Sequence, residues 1–327
     1  MEYHEPDHTW TIWCDSYESF VETFVVKGRF HPLVPEAVVN SYKVVEYIMA
    51  HSYYFYPMYD EAMLRLMGIF EMAVKNRCTE LKIPLKGLND KIVLKEKTLG
   101  ELIKDLHKKE QGKQLYAQLD WLRRVRNLLS HPENYGFIGG NIRSSVQEVV
   151  NVLNKLFLSE SLLISFTEER KRMAALFKIF SKNLWVLSYE VDYYLVEKCS
   201  IRKAARVENK WKYLLVAHPV YSNFASALSE HKYLPLFILG IENIEVKGNS
   251  FTATDIASGL SISIQKSSKD KDMLVYKKHL SDWEAADKHN RFIYTHSADM
   301  DIGHKESDLD YQFLYQSDTH NSSLKNR

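Results

Sequence analysis

The chain has 327 residues, about two domains at the usual ~150 residues apiece. Charged residues at 26 % and apolar ones at 45 % exclude a disordered, collagen-like or low-complexity chain. Lys and Arg number 43 against 42 Asp and Glu, a net charge of +1, which argues against coating nucleic acid or membrane through bulk charge.

Residues 1–35 form an N-terminal extension mixing aromatics with turn formers (Trp10, Phe20, Phe24, Phe30, Pro32, Pro35), with a short strand or strand pair expected over 19–30. Glu2, Glu5 and Asp7 precede no apolar core, so no secretory signal is expected. The longest uncharged stretch, 213–229, is broken by His218, Pro219 and Asn223, short of the roughly 20 apolar residues of a membrane span. Cys14, Cys78 and Cys199 lie far apart without paired spacing, which fits reduced thiols and a cytoplasmic chain.

From Glu36 the period becomes helical: Val38, Tyr42, Val45 and Met49 recur every three or four residues. Pro57 opens a longer helix whose stripe (Tyr59, Met63, Leu66, Phe70, Ala73) runs until Pro84 ends it. After a lysine-rich connection over 86–97, Thr98 and Glu101 make a capping box that starts a short helix. The next helix buries Leu115, Leu119, Leu122, Val125 and Leu129, and Pro132 stops it. A glycine loop (Gly136, Gly139, Gly140) leads to a last helix burying Val146, Val149, Leu153 and Phe157. Residues 36–165 are therefore expected to form a bundle of about five helices.

Residues 166–327 differ in texture. Helix is expected to persist over 168–182, followed by strands at 185–198, 210–217, 233–246, 250–254, 260–265 and 273–276. Leu260, Ile262 and Ile264 alternate with Ser261, Ser263 and Gln265, as a half-buried antiparallel strand requires. From about 299 the tail is acidic and polar and is expected to be loosely held. The fold class is α+β: an all-α N-terminal bundle, then a β-rich, mostly antiparallel domain.

Chemistry concentrates at the end of the fourth helix, in Arg126-Asn127-Leu128-Leu129-Ser130-His131. Asn127 and His131 are four apart and share a face, with Asp120, Arg123 and Arg124 a turn or two earlier and Arg126 on its flank. The C-terminal end of a helix favours a protonated imidazole. A proton-moving group near pKa 7 and a fixed guanidinium are what RNA cleavage by its own 2′-hydroxyl needs, and neither calls for a metal.

Arg126-Asn127-x3-His131, set before a closing helix, resembles the R-x(4–6)-H motif of HEPN domains, and the helix order over 36–165 is similar to that fold. The resemblance implies a metal-independent ribonuclease of the kind found in bacterial toxin–antitoxin, abortive-infection and CRISPR systems, with no cofactor. It implies Arg126 and His131 as catalytic, Asn127 as supporting, and a homodimer in which two motif helices face each other. Some HEPN domains are non-catalytic dimerisation or RNA-binding modules, and that alternative stays open. The resemblance leaves the β-rich half unassigned; a regulatory partner or ligand there is an expectation from the need to restrain a toxic nuclease.

Other residues have plainer alternatives. Arg123 and Arg124, with Lys108, Lys109 and Lys113, are either an RNA-binding surface or an ordinary solvated face. Glu71, amid Phe70, Met72 and Ala73, either pairs with Arg126 or Arg77 or lies exposed. His296, Asp299, Asp301 and His304 have metal-ligand types but no framework, so no metal is expected. The aromatic run Tyr53, Tyr54, Phe55, Tyr56 and Tyr59 fits core or dimer interface better than base stacking.

Overall fold

The computed structural model describes residues 4–88, 94–109, 115–129 and 142–317. They divide into two compact units: the described residues up to Ile164 with those from Leu314 onward, and Ser165–Phe313.

The first unit is mainly helical: α1 (Tyr17–Phe24), α2 (Glu36–His51), α3 (Met58–Glu80), α4 (Leu99–Lys108), α5 (Tyr116–Leu129) and α6 (Ile142–Phe157), with α7 (Glu160–Leu176) beginning at its end. α3 packs against α2, α4, α5 and α6, so apolar side chains cover most of its circumference, among them Met63, Leu66, Phe70 and Val74. The capping box closes as the sequence requires: the Glu101 N–H donates to Thr98 Oγ1, and Glu101 Oε2 accepts from the Thr98 N–H at 2.6 Å. The polar connection before it carries two short antiparallel strands, β1 (Lys86–Leu88) and β2 (Leu94–Glu96), so the unit is not purely helical.

The strand expected over 19–30 is corrected: Ser16 caps α1 by accepting from the Ser19 N–H at 3.1 Å, and extended chain follows. Phe20 and Phe24, one turn apart, stack at 5.5 Å, a helical spacing hidden in an aromatic-rich run. The extension is part of the core. Trp10 lies 4.6 Å from Phe20 and 4.7 Å from Tyr56, and its indole donates to the Ser52 carbonyl. Buried Asn154 of α6 accepts from the His31 N–H at 2.7 Å and donates to the Arg29 carbonyl at 2.8 Å, holding residues 29–31 on that helix.

The second unit is a closed antiparallel barrel of β3 (Trp185–Tyr189), β4 (Asp192–Val207), β5 (Lys210–Pro219), β6 (Phe237–Lys247), β7 (Ser250–Asp255) and β8 (Ser261–Lys266). Each strand pairs with the next, and β8 returns to β3 with Leu187 opposite Ile264. The expected 185–198 strand is a hairpin that turns at Glu190, whose φ is 55°. Glu208 (φ 47°) and Asn209 (φ 64°) turn β4 into β5, the left-handed pair that a type I′ hairpin needs. The interior is filled, not hollow. Phe177 and Phe180, from a 3-10 segment (Phe177–Ser181), meet Phe251 of β7 at 4.8 and 5.2 Å.

Outside the barrel lie α8 (Phe224–Ser229), α9 (Asp270–Ala285) and α10 (Lys288–Phe313). The expected strand at 273–276 is corrected, because Met-Leu-Val-Tyr belongs to α9. The expectation of a loosely held tail is corrected as far as Ser317. α10 buries Ala298, Ile302 and Leu309 against the barrel, while Lys203 of β4 pairs with buried Asp310 at 2.5 Å and donates to the Glu306 carbonyl. No single described helix is long and apolar enough to cross a membrane.

A filled barrel makes Phe251 expensive to truncate. Phe251→Ala is expected to lower unfolding free energy by about 3–5 kcal/mol in urea titration, whereas a loss below about 1 kcal/mol would contradict the packing described.

Candidate functional site

The motif helix α5 lies against α3 and α4 through Leu119 and Leu122, both buried. This leaves Asp120, Arg123, Arg124 and Asn127 on the polar side, with Arg126 between that side and α3. The Arg126 side chain is 38 % exposed, so it is anchored yet reachable.

Its anchor comes from the buried helix. Arg126 Nη2 donates to Glu71 Oε2 of α3 at 3.0 Å, and Nη1 lies 3.4 Å from Asn127 Oδ1. The second Glu71 oxygen takes Lys75, one turn along α3, at 2.9 Å. Hydrogen bonding from Lys75 is the main cause holding the Glu71 carboxyl below its usual value, and Arg126 adds to it. Glu71 therefore faces Arg126; Arg77 pairs with Glu80 at 2.7 Å. Lys75 was the member sequence reasoning missed, although the Glu71–Lys75 spacing of four was its signal.

Asp120 organises the other two arginines. It accepts from Arg123 Nε at 2.9 Å and from Arg124 Nε and Nη2 at 3.0 and 2.7 Å. Those bonds keep its carboxyl below the ordinary range, with Arg124 the larger cause. The side chains differ in access: Arg124 is 73 % exposed and Arg123 only 29 %, so Arg124 is the better placed to meet a phosphate. Trp121 and Leu128, two turns apart on α5, are 43 % and 50 % exposed beside it.

His131 lies outside the described residues, as do Pro132, Gly136, Gly139, Gly140 and Lys113. The structure thus brings together Arg126, Asn127 and Glu71, and separately Arg123 and Arg124 on Asp120.

Among the described residues no group of three or more His, Cys, Asp or Glu side chains is placed to hold a metal ion. His296, Asp299, Asp301 and His304 all lie along α10. Cys78 is buried on α3, and burial pushes its thiol up to about 11, the state of a packed rather than a nucleophilic cysteine. Tyr53 and Tyr59 are buried, so these two members of the aromatic run are core residues. The chain matches no protein-family model, no curated protein and no solved structure.

The Glu71 pair has a pH signature. A carboxyl with a folded pKa below its unfolded value, about 4.5, stabilises the fold above that pH and loses the contribution as pH falls through the folded pKa. Glu71→Gln is expected to cost at most about 1 kcal/mol at pH 7, given the partial solvent screening. The difference from wild type should vanish on acidification; a pH-independent difference in urea unfolding would contradict the ion pair.

Proposed function

We propose that this chain is a metal-independent endoribonuclease that works as a homodimer through its helical unit. The observation that carries the reading is Arg126: a guanidinium near the C-terminal end of α5, oriented by Glu71 and Asn127 yet more than a third exposed. A buried or freely rotating arginine would serve a phosphorane poorly. A held and accessible one suits it.

In the proposed reaction the RNA 2′-hydroxyl loses its proton as its oxygen bonds to the adjacent phosphorus. The bond from phosphorus to the 5′-oxygen breaks, and that oxygen takes up a proton. The products are a 2′,3′-cyclic phosphate and a 5′-hydroxyl. His131 is the residue that moves protons, as its type and spacing from Arg126 support, while Arg126 meets the charge on the equatorial oxygens. Arg124, two residues earlier and the more exposed, would bind a neighbouring phosphate, with Arg123, about one turn back from Arg126, beside it. Trp121 and Leu128 offer an exposed apolar strip next to Arg124, a surface that a second copy of α5 would cover. The HEPN resemblance of the Arg126-Asn127-x3-His131 motif supports the same arrangement, and on that resemblance we propose a role in bacterial phage defence or a toxin-like stress response.

Single-stranded RNA in EDTA is the direct substrate test. Wild type should cleave it, and Arg126→Ala and His131→Ala should each slow cleavage by about 10²–10³-fold with unchanged melting temperatures. Undiminished cleavage by both variants, or a requirement for a divalent ion, would overturn the mechanism. RNA binding without cleavage by wild type would instead favour the non-catalytic HEPN module.

A further inference from the structure

The second unit contains a cavity of about 690 Å³, between the outer face of the barrel and the helices packed on it. That volume lies in the range of small-molecule and cofactor sites. Its two walls are chemically unlike.

The barrel wall is cationic. On β4, Lys198, Ser200 and Arg202 alternate with Cys199 and Ile201, so the polar three face the cavity while the other two fill the barrel. Their carboxylate partners are loosely held: Lys198 stands 4.0 Å from Glu197, and Arg202 3.5 Å from Glu306. Lys182 adds a third cation to the rim, against Glu197 and Asp299 as the lining carboxylates. His218 of β5 stands among these charges. Burial, then Lys198 and Arg202, hold its ring down to about 3, so near neutral pH it contributes hydrogen bonding without charge.

The helical wall is aromatic. Trp283 of α9 lies parallel to Phe224 at 5.9 Å (18°), Phe224 stacks on His279 at 4.1 Å, and Tyr294 of α10 closes on both Phe224 and Trp283. His279 Nδ1 accepts from the Tyr221 N–H at 3.3 Å, which places the ring proton on Nε2. Phe224 is buried, whereas Trp283 and Tyr294 are half-buried and keep ring surface toward the cavity.

An aromatic wall, the Trp283 ring with Tyr294 set edge-on to it at 68°, opposite a row of cations is complementary to a molecule with a flat ring at one end and an anion at the other. A purely apolar ligand would leave Lys198 and Arg202 with only their long carboxylate contacts, and inorganic phosphate would leave Trp283 and Tyr294 bare. We infer that the cavity is a nucleotide site, with the base against Trp283 and Tyr294 and the phosphate on Lys198 and Arg202. Stacking tolerates any base, and the cations hold the phosphate by charge-assisted hydrogen bonds. All residues involved belong to 165–313, so the site is independent of the ribonuclease reading and either can fail alone.

Calorimetric titration of the full chain with AMP, GMP, CMP and UMP tests it. At least one should bind one per chain, and its unphosphorylated nucleoside about tenfold or more weaker. Lys198→Gln/Arg202→Gln and, separately, Trp283→Leu should each weaken that nucleotide about tenfold or more, while Lys277→Gln, exposed on α9 outside the cavity, leaves it unchanged. Displacement of the bound nucleotide by a short RNA would identify RNA as the source, and persistence would identify a free nucleotide. Absence of saturable binding up to about 1 mM, or equal binding by wild type and the double variant, would overturn the assignment.

Discussion

The helical unit depends on the burial of α3. A 23-residue helix contacted by four others has one long packed side, and a carboxylate bordering that side needs a partner where it stands. Glu71 is the consequence that matters most. It sits between Phe70 and Ala73 in the packed stretch, and Lys75 and Arg126 both converge on it. The same packing that makes α3 the core thereby fixes the direction of one guanidinium on α5. A rigid interior holding a half-exposed cation is the usual physical basis for a preorganised electrostatic site.

The near-zero net charge fits this economy. Positive charge on α5 is not spread over a surface but paired locally: two arginines share Asp120, and the third uses Glu71. Salt-bridged arginines keep further N–H groups for an incoming phosphate, since a guanidinium has five donors and one carboxylate occupies two at most. The barrel unit follows the same rule, with cations gathered on one outward-facing stretch of β4 over a fully apolar interior.

Much of this architecture was legible in the residues. α2, α3 and α5 announced themselves through unbroken apolar periods, α4 through its capping box, and β8 through strict alternation of Ile262 and Ile264 with serines. The misread segments share a physical cause, a local composition that pointed away from the long-range period. Residues 19–30 are rich in aromatics and β-branched types, yet Ser16 supplies a cap and Phe20–Phe24 a helical pair. Met273-Leu-Val-Tyr276 has strand-forming residues but continues to His279 and Trp283 at helical steps. α10 buries only Ala298, Ile302 and Leu309 among its apolar residues, with Phe292 and Met300 exposed, so the stripe is too sparse to stand out until the barrel is present to cover it. At the site, Glu71 was visible as a carboxylate in apolar surroundings, whereas which arginine it meets depends on how α5 lies against α3. The nucleotide cavity left no local signal, because its walls come from strands and helices far apart in the chain, from Lys198 of β4 to Ile302 of α10.

The central claim, RNA cleavage by its own 2′-hydroxyl, is tested most directly by an RNA carrying a single 2′-deoxynucleotide immediately 5′ of an established cleavage position. Transesterification predicts that this bond alone resists the enzyme while the unmodified RNA yields 2′,3′-cyclic phosphate ends. Cleavage at the deoxy position with undiminished rate, leaving a 3′-hydroxyl, would contradict it.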